Sequence, residues 1–170
     1  MENTVLEKFR QGRQSLGTFS AIGSPLAVES LRYTGLDYVI VDTEHSPAGI
    51  ESAAAQIAAA QGAGLTALAR ANEISRTAVL RLLDVGAQGV VVPCVETVEE
   101  VRELVRYAKF APLGNRGFCP TRDGGWGYAA HAASISGYME TSNRETLLLP
   151  QCETVGCLEH IEEITRSEEH

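Results

Sequence analysis

The chain has 170 residues, of which 44% are hydrophobic and 21% are charged, so it can bury the core of one domain. Its 14 lysines and arginines against 22 aspartates and glutamates give a net charge of -8 without a basic block, which argues against nucleic acid and anionic membranes as partners. Because the N-terminus lacks the pattern of a signal peptide and no apolar run is long enough to span a bilayer, we expect a cytoplasmic protein.

Strands and helices alternate along the chain, which predicts an α/β fold with a parallel sheet. Strands are predicted at residues 16–19, 38–42, 66–70, 89–93 and 146–151, and a sixth, short strand inside the segment 110–128, which is rich in glycine and proline. Helices are predicted at residues 25–33, 50–61, 75–83, 97–108, 129–139 and 155–164. The helix that follows Thr97 has the clearest start, because Thr97 and Glu100 match a capping box.

Polar side chains gather where the predicted strands end, and the strand 38–42 ends in Asp42, Glu44 and His45. The carboxyl edge of a parallel sheet is where active sites lie in this class of folds. A turn could bring the Asp42 carboxylate onto the His45 ring and make His45 a general base. The alternative is that Asp42 caps the next helix and that Glu44 and His45 are solvated.

Gln151 and Glu153 follow the last predicted strand and share one face by its two-residue period. A carboxylate beside an amide suits a hard divalent cation that keeps several waters, although Glu153 could instead begin the next helix.

Arg70 ends another strand and could clamp a substrate carboxylate, or form an ordinary salt bridge. Phosphate-binding glycine loops, zinc-ligand spacings and a Gly-x-Ser-x-Gly elbow are absent from the sequence.

Three segments together with Arg70 closely resemble the HpcH/HpaI aldolase family. They are GLDYVIVDTEH at residues 35–45, LDVGAQGVVVP at 83–93 and PLGNRG at 112–117. The resemblance runs in register from about residue 16 to residue 164, and it includes 151–154 as the family's metal-binding segment at a strand end. The chain is therefore identified as a candidate member of that family.

The resemblance implies a metal-dependent class II aldolase on a (β/α)8 TIM barrel, of which residues 1–170 would form one incomplete domain with about six of the eight βα units. Such enzymes reversibly cleave 4-hydroxy-2-oxo acids, or 2-dehydro-3-deoxy sugar acids, to pyruvate or a related 2-oxo acid and an aldehyde. The resemblance also implies a homo-oligomer, a trimer or a hexamer.

The same resemblance assigns roles to residues of this sequence. Glu153 would be a ligand of Mg²⁺, Mn²⁺ or Co²⁺, and Gln151 would bind near the metal and the 2-oxo acid. Arg70 would hold the pyruvate carboxylate or the developing enolate. His45, oriented by Asp42, would move the proton of the C4 hydroxyl.

The lysines and cysteines bear on the kind of chemistry. Lys8 lies near the terminus and Lys109 ends a predicted surface helix, and because there is no other lysine, a metal is favoured over a Schiff base. The four cysteines form no Cys-x-x-Cys pair, so we expect reduced, mostly buried thiols.

The sequence departs from the family where the family has a second metal-binding Asp after the seventh strand. Residues 165–170 do not have the sequence pattern that leads into a buried strand, so we expect an incomplete barrel.

Two alternative functions stay open. One is a non-catalytic remnant that binds 2-oxo acids and metal. The other is a lyase that acts on a coenzyme A thioester, for which Arg116 and Arg122 supply little basic surface. The aromatic residues of the segment 110–128 could line the aldehyde pocket or pack that segment down; they are Phe118, Trp126 and Tyr128.

Overall fold

A computed structural model describes residues 3–167, with side chains for residues 3–166. Its strands are β1 (Gly17–Ser20), β2 (Tyr38–Asp42), β3 (Thr66–Arg70), β4 (Gly89–Val92) and β5 (Leu147–Pro150). Its helices are α1 (Thr4–Arg10), α2 (Pro25–Ser30), α3 (Ile50–Gly62), α4 (Arg76–Asp84), α5 (Val98–Ala108), α6 (Ile135–Glu145), α7 (Val155–Glu159) and α8 (Ile161–Ser167). Short 3-10 segments lie at Leu31–Tyr33, Arg122–Gly127 and Ala130–Ala132.

The five strands form one parallel sheet in the order β1-β2-β3-β4-β5. Each strand therefore lies beside the next strand in sequence, and at least one helix separates each strand from the next. This is the arrangement of successive units in a β/α barrel. The parallel α/β fold predicted from the sequence is confirmed.

The two faces of the sheet are both apolar but are covered differently. Val39, Val41 and Val90 point toward the helices and belong to the main core, in which they are fully buried. Ile40 and Leu68 point to the other face, which is the inner face of a barrel. An open cavity of about 570 Å³ lies on that inner face, between the sheet and residues near the N-terminus.

The helix starts follow from local capping chemistry. Thr97 accepts from the backbone N–H of Glu100, and the Glu100 carboxylate accepts from the N–H of Thr97, so the predicted capping box of α5 is confirmed. Serine side chains cap α2, α4 and α6 in the same way. After α3, Gly64 has a φ of +81°, a conformation that glycine adopts without strain.

The structure differs from the predicted elements at several places. The short strand expected within 110–128 does not form, so five strands are observed among the described residues instead of six. The helix predicted at 129–139 begins six residues later, because the Ser134 side chain caps it at the N–H of Gly137. The last predicted helix is divided at His160 into α7 and α8, and α1 was not predicted. Residues 168–170, part of the unusual terminal segment, lie outside the described residues.

The segment between α5 and α6 is held at the amino-terminal edge of the sheet by a buried ion-pair network. Arg116 donates to Asp84 at 2.8 Å and to Asp123 at 2.9 Å, and the hydroxyl of Tyr138 also donates to Asp123. Phe118 packs edge-on against the Tyr138 ring. Trp126 lies beside Thr66 at the start of β3, the end of the sheet opposite the polar strand ends, so within one chain it does not line a pocket at those strand ends.

Two expectations about lysine and cysteine are also corrected. Lys109 is buried, and its ammonium donates to the carbonyl oxygens of Asn143 and Thr146, each at 2.7 Å. Cys157 is buried, but the other three cysteines are exposed because they lie on loops and strand ends. No disulfide links any of the four cysteines. Within the described part of the chain, no helix has the length and hydropathy needed to cross a membrane.

Candidate active site

Asp42 and Arg70 form the centre of the site because β2 and β3 place them side by side. They are register partners at the ends of adjacent strands, and both continue the series of residues that face inward. Arg70 Nε donates to Asp42 Oδ1 at 2.9 Å, and Arg70 Nη2 donates to Asp42 Oδ2 at 2.7 Å. This two-point contact is the strongest form of an arginine–carboxylate pair.

The pair shifts the pKa of both groups. The hydrogen bonds from Arg70 hold the pKa of the Asp42 carboxyl below its usual value, although burial opposes this. The pKa of Arg70 is raised, first by the hydrogen bonds with Asp42 and further by the charges of Asp42, Glu44 and Glu153. Both groups are therefore charged at neutral pH.

The turn after β2 is shaped by Asp42 and presents His45 to solvent. Asp42 Oδ1 accepts from the backbone N–H of Glu44 at 3.0 Å and of His45 at 3.3 Å. The His45 side chain is 72% exposed, and its Nε2 lies 3.6 Å from Glu44 Oε1. The prediction that the Asp42 carboxylate orients the His45 ring is therefore corrected: Arg70 occupies both carboxylate oxygens, and Asp42 contacts the backbone of His45 instead.

Glu44 is a site residue to which the sequence analysis assigned no role in the chemistry. Its Oε2 lies 3.3 Å from Arg70 Nε, and this oxygen is buried without a hydrogen-bond partner among the described residues. Glu44 thus lies between Arg70 and His45, with one carboxylate oxygen near each of them. The available signal was its position one residue from His45 at a strand end, which equally suited a solvated side chain.

Gln151 and Glu153 lie after β5 and contact each other, as expected for two residues on one face. Gln151 Nε2 donates to Glu153 Oε2 at 2.7 Å, and the backbone N–H of Cys94 donates to Glu153 Oε1 at 2.8 Å. Glu153 precedes the Thr154 cap of α7, so it is not part of the first turn of that helix. Gln151 Oε1 is buried and has no hydrogen-bond partner in the described part of the chain.

Phe19 is a second residue that the sequence analysis missed. It belongs to β1, and the central carbon of the Arg70 guanidinium lies 4.9 Å from the centre of its ring. An aromatic ring at this distance attracts a cation and helps to fix the plane of the guanidinium. We call the whole group the strand-end site; its members are Phe19, Asp42, Glu44, His45, Arg70, Gln151 and Glu153.

The charge of the strand-end site favours a cation. The carboxylates of Asp42, Glu44 and Glu153 all act on the charge of the single guanidinium of Arg70. Two buried oxygen atoms that accept no hydrogen bond among the described residues, in Glu44 and Gln151, add hard donor atoms. Among the described residues, no group of three or more His, Cys, Asp or Glu side chains is arranged to hold a metal. The residues therefore fit part of the coordination shell of a cation that keeps waters or binds substrate oxygens.

Comparison with known proteins finds a family model and named relatives that match this chain. The model of the family described as "HpcH/HpaI aldolase/citrate lyase" matches residues 15–170. A protein of Roseovarius nubinhibens named "Hydroxypyruvate/pyruvate aldolase" is 33% identical over 162 residues, covering 95% of this chain and 62% of the relative. A Novosphingobium aromaticivorans protein named "4-hydroxy-2-oxovalerate aldolase" is 28% identical over 163 residues, covering 95% of this chain and 60% of the relative.

A solved structure has the same fold. It is that of an HpcH/HpaI aldolase/citrate lyase family protein from Burkholderia cenocepacia, and it superimposes with a TM-score of 0.87 at 27% identity. The match covers 98% of this chain and 65% of that one. The chain thus spans about three fifths of the length of the relatives that it matches.

Proposed function

The chain belongs to the HpcH/HpaI aldolase/citrate lyase family, and on that premise we propose that it acts as a metal-dependent aldolase. The proposed reaction is the reversible cleavage of a 4-hydroxy-2-oxo acid to pyruvate, or a related 2-oxo acid, and an aldehyde. The observation that carries the proposal is the strand-end site, in which one anchored guanidinium lies among three carboxylates at the carboxyl edge of a parallel sheet.

Arg70 is proposed to bind the carboxylate of the 2-oxo acid. Asp42 occupies Nε and one hydrogen of Nη2, so the remaining N–H groups of the planar fork are available to a ligand. The contact with Asp42 fixes the direction in which those groups point. Since Asp42 does not orient the His45 ring, its proposed role is to hold Arg70.

Glu153 is proposed as a ligand of a divalent cation, Mg²⁺, Mn²⁺ or Co²⁺, with Gln151 close to the metal and to the 2-oxo acid. Glu153 is exposed, and Gln151, whose buried Oε1 has no hydrogen-bond partner among the described residues, donates to it, which supports this assignment. When bound, such a cation supplies the positive charge that stabilises a developing enolate.

His45 is proposed to move the proton of the C4 hydroxyl when the bond between C3 and C4 breaks. Its ring is accessible, with 72% of the side chain exposed, and Glu44 lies on one side of it. In cleavage the imidazole would accept the hydroxyl proton, the carbonyl of the aldehyde would form, and C3 would keep the electron pair and later accept a proton.

A coenzyme A thioester is a poorer substrate for this arrangement. A phosphate-bearing carrier would need a basic groove beside the site. Arg116 is buried in ion pairs with Asp84 and Asp123, and Arg122 lies at the opposite edge of the sheet.

The proton exchange of pyruvate tests the proposed function without an aldehyde. Enolisation of bound pyruvate replaces its methyl protons by deuterium in heavy water, which one-dimensional NMR detects. We expect exchange that depends on Mn²⁺ or Mg²⁺, is abolished by chelator, and is lost in Glu153→Ala. Glu99→Ala, an exposed glutamate on α5, is the matched control and should keep the activity. Absence of exchange in a folded sample supplied with metal would favour the non-catalytic remnant.

A further inference from the structure

A second cavity lies at the amino-terminal edge of the sheet, opposite the strand-end site. It has a volume of about 490 Å³, which is within the range of small-ligand pockets. It lies beside the residues that lead into β3 and β4, and the 3-10 segment Arg122–Gly127 lines one side of it. Its lining includes Gln61, Gly86, Gln88, Arg122 and Trp126.

Arg122 brings a positive charge into this cavity without a carboxylate to balance it. Its Nη1 donates to Gln61 Oε1 at 2.6 Å and to the carbonyl oxygen of Val85 at 3.2 Å, and both acceptors are neutral. In the described part of the chain, Arg122 forms no ion pair. Asp123 also lines the cavity, but its carboxylate accepts from Arg116 and from the Thr121 hydroxyl.

Gly86 leaves room for the Arg122 guanidinium at the cavity wall. Gly86 has a φ of +101°, and a Cβ there would overlap Nη1 of Arg122. Only a residue without a side chain allows the guanidinium to approach so closely. The arginine is therefore held at the cavity wall by two neutral acceptors, with the rest of its guanidinium left for a ligand.

Trp126 adds an exposed aromatic surface to the same cavity. Its side chain remains 65% exposed although it is large and apolar. Its φ of +55° lies in the left-handed region, which is unfavourable for a residue other than glycine. Because the indole is exposed at the cavity, it offers a face on which a flat ring can stack.

We propose that this cavity binds a small organic anion that has one carboxylate and an aromatic ring, with Arg122 holding the carboxylate and Trp126 stacking on the ring. The site is separate from the strand-end site, because Thr66 at the start of β3 lines the cavity whereas Arg70 at the end of that strand belongs to the strand-end site. The proposal does not depend on aldolase activity.

Trp126 provides the measurement, because it is the single tryptophan of the chain. Benzoate is titrated against the intrinsic fluorescence, excited where benzoate does not absorb, with benzamide as the uncharged analogue and acetate as the anion without a ring. We expect a saturable change with benzoate and a dissociation constant of about 1 mM or lower. Benzamide and acetate should bind at least about tenfold more weakly, because each lacks one of the two contacts.

Variants of Arg122 test whether this residue contacts the carboxylate of benzoate. Arg122→Gln should weaken benzoate binding by about tenfold or more, and Arg122→Lys should bind more tightly than Arg122→Gln because it keeps the charge. Arg32→Gln, an exposed arginine elsewhere on the surface, and Arg70→Gln should leave binding unchanged. The proposal is overturned if the wild type shows no saturable response, if benzamide binds as well as benzoate, or if Arg70→Gln removes binding and Arg122→Gln does not. If Arg122→Gln fails to fold, the proposal is still tested by comparing benzoate with benzamide and acetate, and by the affinity of Arg122→Lys for benzoate.

Discussion

Arg70 is held in one orientation by its neighbour on the next strand. The Asp42 carboxylate accepts hydrogen bonds from Nε and Nη2 of Arg70, and the centre of the Phe19 ring lies 4.9 Å from the central carbon of the guanidinium. Both contacts are made before any ligand arrives, so little side-chain freedom is lost when a carboxylate binds. The site is therefore preorganised at the residue on which the proposed recognition of the 2-oxo acid depends.

Replacing Arg70 by lysine tests this recognition. Lysine keeps the charge but loses the planar fork that matches a carboxylate and Asp42. We expect Arg70→Lys to weaken the binding of oxalate, a mimic of the 2-oxo acid enolate, by about tenfold to a hundredfold in isothermal titration. Arg102→Lys, on the exposed surface of α5, should bind oxalate as the wild type does. Equal affinities of the two variants would contradict the role of Arg70.

Asp42→Asn should destabilise the protein in a pH-dependent way. The folded state lowers the pKa of Asp42, so the pair contributes stability above the unfolded pKa of about 3.9, and this contribution is lost as the pH falls through the lower folded pKa. In urea unfolding we expect a loss of about 2 kcal/mol at pH 7 that shrinks below about pH 4. Glu159→Gln, an exposed carboxylate of α7, should show neither effect. A difference that stays constant with pH would show that the charge of Asp42 is not involved.

At the residue scale, the sequence predicted which side chains gather at the strand ends but not how they pair. Asp42, Arg70, Gln151 and Glu153 could be found because each follows an apolar strand. The pairing of Asp42 with Arg70 depends on the register between β2 and β3, and that register is set by packing across the sheet. The same register explains why Asp42 does not reach the His45 ring.

At the scale of elements, the junction between α5, α6 and β5 depends on one buried lysine. Lys109 follows α5, and its ammonium donates to carbonyl oxygens at the end of α6 and just before β5. Burial lowers its pKa to about 8. The lysine thus has a capping role at the edge of the sheet away from the proposed chemistry.

Lys109 should make stability rise with pH in alkaline solution. The folded state binds the proton more weakly than the unfolded chain, so between about pH 8 and the unfolded pKa of about 10.4 the unfolded state carries more protons. The free energy of unfolding of the wild type, measured relative to Lys109→Met, should therefore increase by about 2 kcal/mol from pH 8 to pH 10. Using the variant as the reference removes the titration of other groups, such as Tyr138, whose pKa is raised by burial. A difference in the free energy of unfolding that does not change between pH 8 and pH 10 would show that Lys109 keeps its ordinary pKa.

Elements with an amphipathic pattern or a clear cap were predictable, and those set by tertiary contacts were not. α5 has both signals, and its predicted start at Thr97 is confirmed. The segment 110–134 has neither, because its conformation depends on the buried pairing of Arg116 with Asp84 and Asp123. The Ser134 cap was a usable signal for α6, although the helix was predicted to start at residue 129.

At the scale of the molecule, the sheet has two edges and one partly covered face. β1 and β5 each have a strand neighbour on one side only among the described residues, and the inner face lines a cavity of about 570 Å³. Exposed strand edges and apolar faces favour association. We therefore propose that the chain self-associates, and the resemblance to the family implies a trimer or a hexamer. Light scattering after size exclusion should give such a mass at micromolar concentration, and a monomer would contradict the proposal.

The sequence predicted the class of the fold but not the closure of the barrel. Alternating strands and helices suffice for a parallel sheet, and the resemblance to the family supplied the expected barrel. Closure depends on how many strands meet and at what tilt, which local patterns do not encode. The described residues supply five consecutive strands of such an arrangement.

The most direct test is the release of pyruvate from a simple 4-hydroxy-2-oxo acid by this 170-residue chain. The assay is run with Mg²⁺ or Mn²⁺ and then with chelator, on a sample shown to be folded by circular dichroism. We expect turnover that stops with chelator, returns when metal is restored, and is lost in Glu153→Ala. Turnover that is unaffected by chelator, or no turnover from folded protein with metal present, would contradict the proposed metal-dependent aldolase function.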